Sequence, residues 1–330
     1  MLLLRILIGI GLMGYLVLKF DFITLGTAFH RATLHRTWIA AGIAFTFLGL
    51  CAGAYRWRII VHAQQLSLSL SRAFSIYFIG QFFNAFMLGA CGGDVARAWL
   101  VAQDNKSKRT EAATTVFIDR FFGLFILIAF CSVMILFSLR LFLEHANTRW
   151  PGVMMLFFLT GSVISILVLF RRNQFEHWRP FMFLENRTRI GPFIRRAYDA
   201  FFLFRNDQAV MIHSVILSLL NTAFLTLACL SFGRSLEIQI SLTHYFTLFP
   251  IISVIAAIPI TPGSLGVRES LFVTLFGALG VAGPQAMLMS LLVYAGGLFW
   301  SLFGGVVFLA YSAQSGVTVA MVGSDTVGSS

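Results

Sequence analysis

Apolar runs long enough to cross a ~30 Å hydrocarbon core recur from one end of this chain to the other. Uninterrupted candidates are Leu2–Lys19, Trp38–Tyr55, Thr115–Leu139, Val153–Phe170, Val210–Phe232 and Gln285–Tyr311. Of 330 residues, 58% are hydrophobic and 11% charged, where a soluble domain carries roughly a quarter charged residues. With the bilayer as solvent, every backbone polar group must be satisfied within the chain, so the expected class is all-α and polytopic. Residues 1–312 are expected to form one membrane domain, and 313–330, rich in Ser, Thr, Gly and Val, a disordered tail. Residues 1–20 carry Arg5 in an apolar stretch longer than a signal-peptide core, without a clear cleavage site, and are expected to be a retained first helix.

The formal net charge of +11 comes mostly from Arg outside the apolar runs. In this setting the excess fits the positive-inside bias and attraction to anionic headgroups. No groove-reading helix or aromatic-basic platform is visible, so no nucleic-acid partner is expected. Cys51, Cys91, Cys131 and Cys229 lie far apart in or beside apolar runs and read as buried small hydrophobes. The seven histidines show no metal-binding spacing, so neither a metal nor another cofactor is expected.

Two further apolar regions are interrupted. Residues Phe74–Ala102 contain Gly89-Ala90-Cys91-Gly92-Gly93-Asp94, and Ser241–Gly280 contain Pro259-Ile260-Thr261-Pro262-Gly263-Ser264-Leu265-Gly266. Charge decides the topology of the first. Residues 171–209 carry eight Arg against four acids and are expected to be cytoplasmic; Arg56, Arg58 and Arg72, and Arg97, Lys106, Lys108 and Arg109, mark two more basic segments. All three fall on one side only if the first broken segment dips in and returns. In the second, Leu271–Leu279 gives about 13 Å of helix, half a bilayer. The expected fold is about six transmembrane helices plus two re-entrant helical hairpins of opposite orientation, with both termini cytoplasmic. Opposed broken segments are the pattern of inverted-topology transporters. Within 171–209, Ile190, Phe193, Ile194, Ala197, Tyr198, Phe201 and Phe202 recur at helical spacing among Arg189, Arg195, Arg196 and Arg205, as in an interfacial amphipathic helix.

Three motifs carry charge at the breaks. Gly92 and Gly93 suit the tip of a broken helix, Asp94 is placed to cap the helix that follows, and Arg97, three residues on, shares its face. This is either a capped turn with a local ion pair or a headgroup site with Arg97 facing phosphate, since charge near hydrocarbon is costly unless used. In Pro262-Gly263-Ser264-Leu265-Gly266-Val267-Arg268-Glu269, Pro262, Gly263 and Gly266 end one half-helix and the next offers N–H groups to an anion. Arg268 adds a positive charge and Glu269 a counter-charge or proton acceptor; the structural alternative is a loop with Arg268 at the interface. Asp119-Arg120 with Gly123 is an anchor or a site, and Asn84 is polar glue or part of the site. Gly296-Gly297 and Gly304-Gly305 read as close helix packing.

In this order, Asn84, Gly92-Gly93-Asp94-x-x-Arg97, Asp119-Arg120-x-x-Gly123 and Thr261-Pro262-Gly263-Ser264-Leu265-Gly266-Val267-Arg268-Glu269 resemble the transmembrane domain of bacterial lysylphosphatidylglycerol synthases and the stand-alone flippase-like proteins similar to it. The likeness covers roughly residues 1–312. It departs where that family has proline after leucine, here Leu88-Gly89. No segment here corresponds to the synthases' soluble aminoacyl-transfer domain, so lipid lysinylation is not expected of these residues. The resemblance implies a plasma-membrane protein, in the bacterial inner membrane, that moves a phospholipid or lipid-linked headgroup between leaflets. Arg97 and Arg268 would then hold a phosphate, with Asp94, Asp119 and Glu269 balancing charge. The expected ligand is an anionic phospholipid or lipid-linked phosphate, and the expected protein partner a second copy or a lipid-synthesis enzyme. Competing expectations are a membrane-embedded enzyme on lipid-linked substrates, for which the acids are too scattered, and a non-transporting partner of a lipid-modifying enzyme.

Overall fold

The computed structural model describes residues 32–86, 92–138, 207–258 and 264–315, with isolated positions at 26, 30, 142–161 and 261. The expected span 2–19, most of 153–170, the amphipathic segment up to residue 206 and the tail from residue 316 lie outside the described residues. The described residues show no strand and include eight α-helices: α1 (Arg36–Ala63), α2 (Leu70–Phe86), α3 (Gly92–Asp104), α4 (Arg109–Phe137), α5 (Gln208–Ser235), α6 (Leu242–Ala256), α7 (Val267–Gly277) and α8 (Gly283–Ser315). Helices α1, α4, α5 and α8 are long and apolar enough to cross a membrane, and correspond to four of the six expected spans. They overrun the apolar cores read from sequence: α1 continues two turns past Tyr55, to Ala63.

The α1/α5 pair is the pillar of the fold. On α1, Gly42, Thr46, Gly49, Gly53, Arg56 and Ile60 are all buried at alternating steps of four and three, one stripe of a helix. Its three glycines let α5 approach closely, because a membrane interface gains from packing rather than from expelling water. A Cβ at Gly42 would meet the Phe232 ring, one at Gly49 Leu225, and one at Gly53 Tyr77 and Asn221. Asn221 donates to the Gly49 carbonyl at 2.8 Å, and Arg56 to Ser218 at 2.9 Å. Each step forward on α1 is matched by an equal step back on α5, so the two run antiparallel in one register. Three hydroxyls buried on α5 are satisfied by their own helix: Ser218, Thr226 and Ser231 donate to carbonyls four residues back.

The first broken segment is an antiparallel hairpin. At its base Arg72 forks onto Asp104 at 2.7 and 3.0 Å; higher up, Gly80 packs on the Arg97 stem and the Gly93 carbonyl; near the tip Asn84 accepts from the Gly93 N–H at 2.9 Å. Its arms are about 26 and 20 Å long, each short of a ~30 Å crossing. The base lies beside the C-terminal end of α1, where Arg58 and His62 both reach the Leu68 carbonyl. Thus α1 ends and α4 begins at the same end of the bundle, as the charge argument required. The second broken segment is also an antiparallel hairpin, with Tyr245 on Phe276 at its base and Phe249 on Phe272 above. Its base sits at the opposite end, where Tyr245 abuts Gly233 at the end of α5 and Gln285 of α8 donates to the Leu236 carbonyl.

Long, short, short, long is therefore the order twice over. Helices of 28, 17, 13 and 29 residues are followed by helices of 28, 15, 11 and 33, and the second set is inverted relative to the first. α4 ends and α5 begins at opposite ends of the bundle, the arrangement that the expected span 153–170 calls for.

Close backbone approaches make some glycines irreplaceable. A Cβ at Gly93 would strike the Gly80 carbonyl and one at Gly304 the Phe78 carbonyl, whereas one at Gly297 meets nothing within 4 Å. Gly93→Ala and Gly304→Ala are expected to cost about 1–3 kcal/mol each, as overpacking does. Thermal unfolding in detergent should show a lower Tm for both and no loss for Gly297→Ala.

Candidate functional site

The polar residues singled out by sequence separate into two clusters, one on each hairpin. The first is built where α3 crosses α1 and α4. Asp119 is 1% exposed, and its carboxylate is shared: Oδ1 accepts from Arg56 Nε at 2.9 Å and Oδ2 from Arg97 Nη2 at 3.1 Å. Arg56 continues to the Asp119 carbonyl at 3.3 Å and to Ser218 at 2.9 Å, so α1, α3, α4 and α5 meet at these groups. Gly123, one turn beyond Asp119, is bare because a Cβ there would meet the Arg56 guanidinium. Arg97 is 3% exposed and lies between aromatic faces, its Cζ 4.4 Å from the Trp57 centroid and 4.5 Å from that of Tyr77. Its Nε is buried and has no acceptor among the described residues.

On the open side of the cluster, Asp94 Oδ1 accepts from Arg120 Nε at 2.9 Å and stands 3.8 Å from Arg97 Nη1. The Arg120 side chain is 51% exposed and that of Asp94 22%. The expected i, i+3 pairing of Asp94 with Arg97 is present, but two local roles differ. Asp94 is not the cap of α3: it is the third helical residue, and its carboxylate is drawn across to α4 by Arg120. Gly92 and Gly93 are not in the turn but in the first turn of α3, where Gly93 serves the close approach to α2. The turn itself, including Leu88-Gly89, lies outside the described residues.

Arg56 is the larger departure. Expected in a basic cytoplasmic segment, it is 8% exposed and lies at the centre of the cluster. The apolar Ile59-Ile60-Val61 that follows Arg58 was the available signal that the helix, and with it Arg56, continued inward. Asp119 lies about 15 Å along α4 from Arg109, so the Asp119-Arg120 pair belongs to the site rather than to the helix end.

The second cluster is compact and local. Gly266, at φ +83, precedes α7, a backbone conformation that glycine adopts without strain. Its N–H donates to Glu269 Oε2 at 2.6 Å, which closes the helix start. The other oxygen, Oε1, accepts from Arg268 Nη2 at 2.6 Å and from Ser290 at 3.0 Å. Arg268 Nε also reaches Ser290 at 3.0 Å, and its Cζ lies 4.6 Å from the Tyr294 centroid on α8. Ser264 donates to the Ala256 carbonyl and Thr261 to that of Leu265, bracing the turn. Pro262 and Gly263 lie outside the described residues.

Arg97 and Arg268 are not brought together. Their partners are separate: Arg97 is engaged by Asp94, Asp119, Trp57 and Tyr77, and Arg268 by Glu269, Ser290 and Tyr294.

Removing a buried carboxylate that two guanidinium groups share strands both charges. Asp119→Ala is expected to cost about 3–5 kcal/mol, and Asp94→Ala, at the open side, about 1 kcal/mol or less. Denaturation of the two purified variants in the same detergent should rank them in that order.

Comparison with known proteins agrees with this architecture. Residues 2–305 match the family described as lysylphosphatidylglycerol synthase TM region. A UPF0104 membrane protein of Methanothermobacter thermautotrophicus is 21% identical over 303 residues, covering 84% of this chain and 86% of that protein. With four helices able to span a membrane and a family match over nearly its whole length, the chain is a multi-pass integral membrane protein of the lysylphosphatidylglycerol synthase TM region family.

Proposed function

We propose that this protein carries the polar headgroup of a membrane lipid between the two leaflets while the acyl chains remain in the bilayer. The observation that supports this best is a buried, charge-sharing cluster on one of two hairpins entering from opposite ends of the bundle. Charges deep in an apolar fold are expensive to keep, and inside membranes they mark substrate pathways. Guanidinium groups suit a phosphate because their donors are planar and paired. The family's description names a synthase of a phospholipid, which supports a phospholipid headgroup in this reading.

In this reading each hairpin serves one leaflet. The first cluster receives the headgroup at the end carrying Arg58, Arg72, Lys106, Lys108 and Arg109, the end assigned to the cytoplasm by its charge. The second cluster, on the opposed hairpin, holds the headgroup next. Arg268 is its charged contact, and Glu269 holds Arg268 in place directly, with the Ser290 hydroxyl bonded to both. The chain acts as a carrier rather than a catalyst, resides in the plasma membrane and keeps both termini on the basic side.

Translocation of a fluorescent phospholipid in reconstituted vesicles tests the proposal. Wild-type protein should raise the rate above protein-free vesicles, and Arg97→Ala combined with Arg268→Ala should lower it at least about tenfold, the loss of one charged hydrogen bond. A double variant that stays monodisperse and transports at the wild-type rate overturns the assignment.

A further inference from the structure

Charge counting at the first cluster carries the proposal further. Three guanidinium groups, Arg56, Arg97 and Arg120, face two carboxylates, Asp94 and Asp119, in direct ion pairs. The described cluster therefore holds one uncompensated positive charge. The second cluster pairs Arg268 with Glu269 and is neutral.

That excess is not dissipated locally. Asp119 is saturated by Arg56 and Arg97, and Asp94 is committed to Arg120. Arg97, 97% buried, keeps an Nε–H with no acceptor among the described residues. Aromatic faces at Trp57 and Tyr77 stabilise its charge but accept no in-plane hydrogen bond from it. The first turn of α3, beside Asp94 and Arg120, adds the partial positive end of a 13-residue helix. A buried site with one surplus charge is neutralised by one negative charge. A second would leave the complex with an uncompensated anion in a medium that penalises it.

We infer that the cluster formed by Arg56, Arg97, Arg120, Asp94 and Asp119 is a binding site for a singly charged phosphodiester, and that it discriminates against phosphomonoesters and pyrophosphates by charge. This rests on the lipid-carrying reading and narrows it, since a phosphodiester headgroup carries one charge and a lipid-linked pyrophosphate more than one. The half-exposed Arg120 and the partly exposed Asp94 provide the open side through which the diester approaches.

The test exchanges the site's charge in both directions without removing Asp119. Native mass spectrometry of the purified full chain, offered phosphatidylglycerol, phosphatidylcholine and phosphatidic acid at equal concentration, reads the preference. Wild type should retain phosphatidylglycerol over both others. Arg120→Gln brings the cluster to zero and should lower retention of phosphatidylglycerol about tenfold, to the level of phosphatidylcholine, for loss of one charged hydrogen bond. Asp94→Asn brings it to two positive charges and should move the preference to phosphatidic acid. Competition with glycerophosphoglycerol, the same diester without acyl chains, separates sources: displacement of the lipid shows that the phosphodiester itself is recognised, and no displacement at millimolar excess shows that the acyl chains are required. An unchanged lipid order across wild type and both variants overturns the inference. Vesicle translocation by wild type separates the two readings: transport without charge preference sinks this inference alone, and charge preference without transport sinks the carrier reading alone.

Discussion

The carboxylate of Asp119 is the joint on which this structure depends. One side chain on α4 accepts from Arg56 of α1 and Arg97 of α3, and Arg56 passes the connection to Ser218 of α5. Each ion alone would be prohibitive in a dry interior; shared geometry and satisfied lone pairs make the set tolerable. The pillar and the first hairpin are thereby fastened by directional bonds where apolar packing in a membrane supplies little direction. Among the described residues the second hairpin shows no equivalent. Its charged pair is formed by neighbours on α7 and, among those residues, reaches beyond them through Ser290 and Tyr294 of α8.

What could be read from the sequence was whatever is encoded locally. The interruptions between α2 and α3 and before α7, the short arms of the hairpins and the Asp94–Arg97 spacing follow from composition and helical period. So did the entry of the two hairpins from opposite ends of the bundle. Contacts across 63 or 162 positions, such as Arg56 with Asp119 or Ser218, leave no local mark. Arg56 reads as one more interfacial basic residue until α4 is seen to place a carboxylate beside it. The separation of Arg97 from Arg268 was hidden for a similar reason. Tips entering from opposite ends suggest meeting, and only the partners of each arginine, Asp119 for Arg97 and Ser290 for Arg268, show that they are engaged apart.

The inverted repeat is one of backbone and not of chemistry. Both halves carry an acid and an arginine near the start of a short helix. In the first half the acid and the arginine are bonded to a second helix; in the second the acid closes its own helix start through the Gly266 N–H. One scaffold thus presents a positive and a neutral environment at two depths, and an anion carried along it would be held unequally at the two.

The 33 residues of α8 form a rod of about 50 Å. Near one end it bonds the second hairpin at Ser290; past its middle, Gly304 lies directly on the backbone of the first at Phe78, and Tyr311 stacks on Arg72 at that hairpin's base. Close-packed helices transmit displacement rather than absorb it. Tilting α8 to release one hairpin therefore presses on the other, so the two work as the pans of a balance, joined by a beam that cannot lift both.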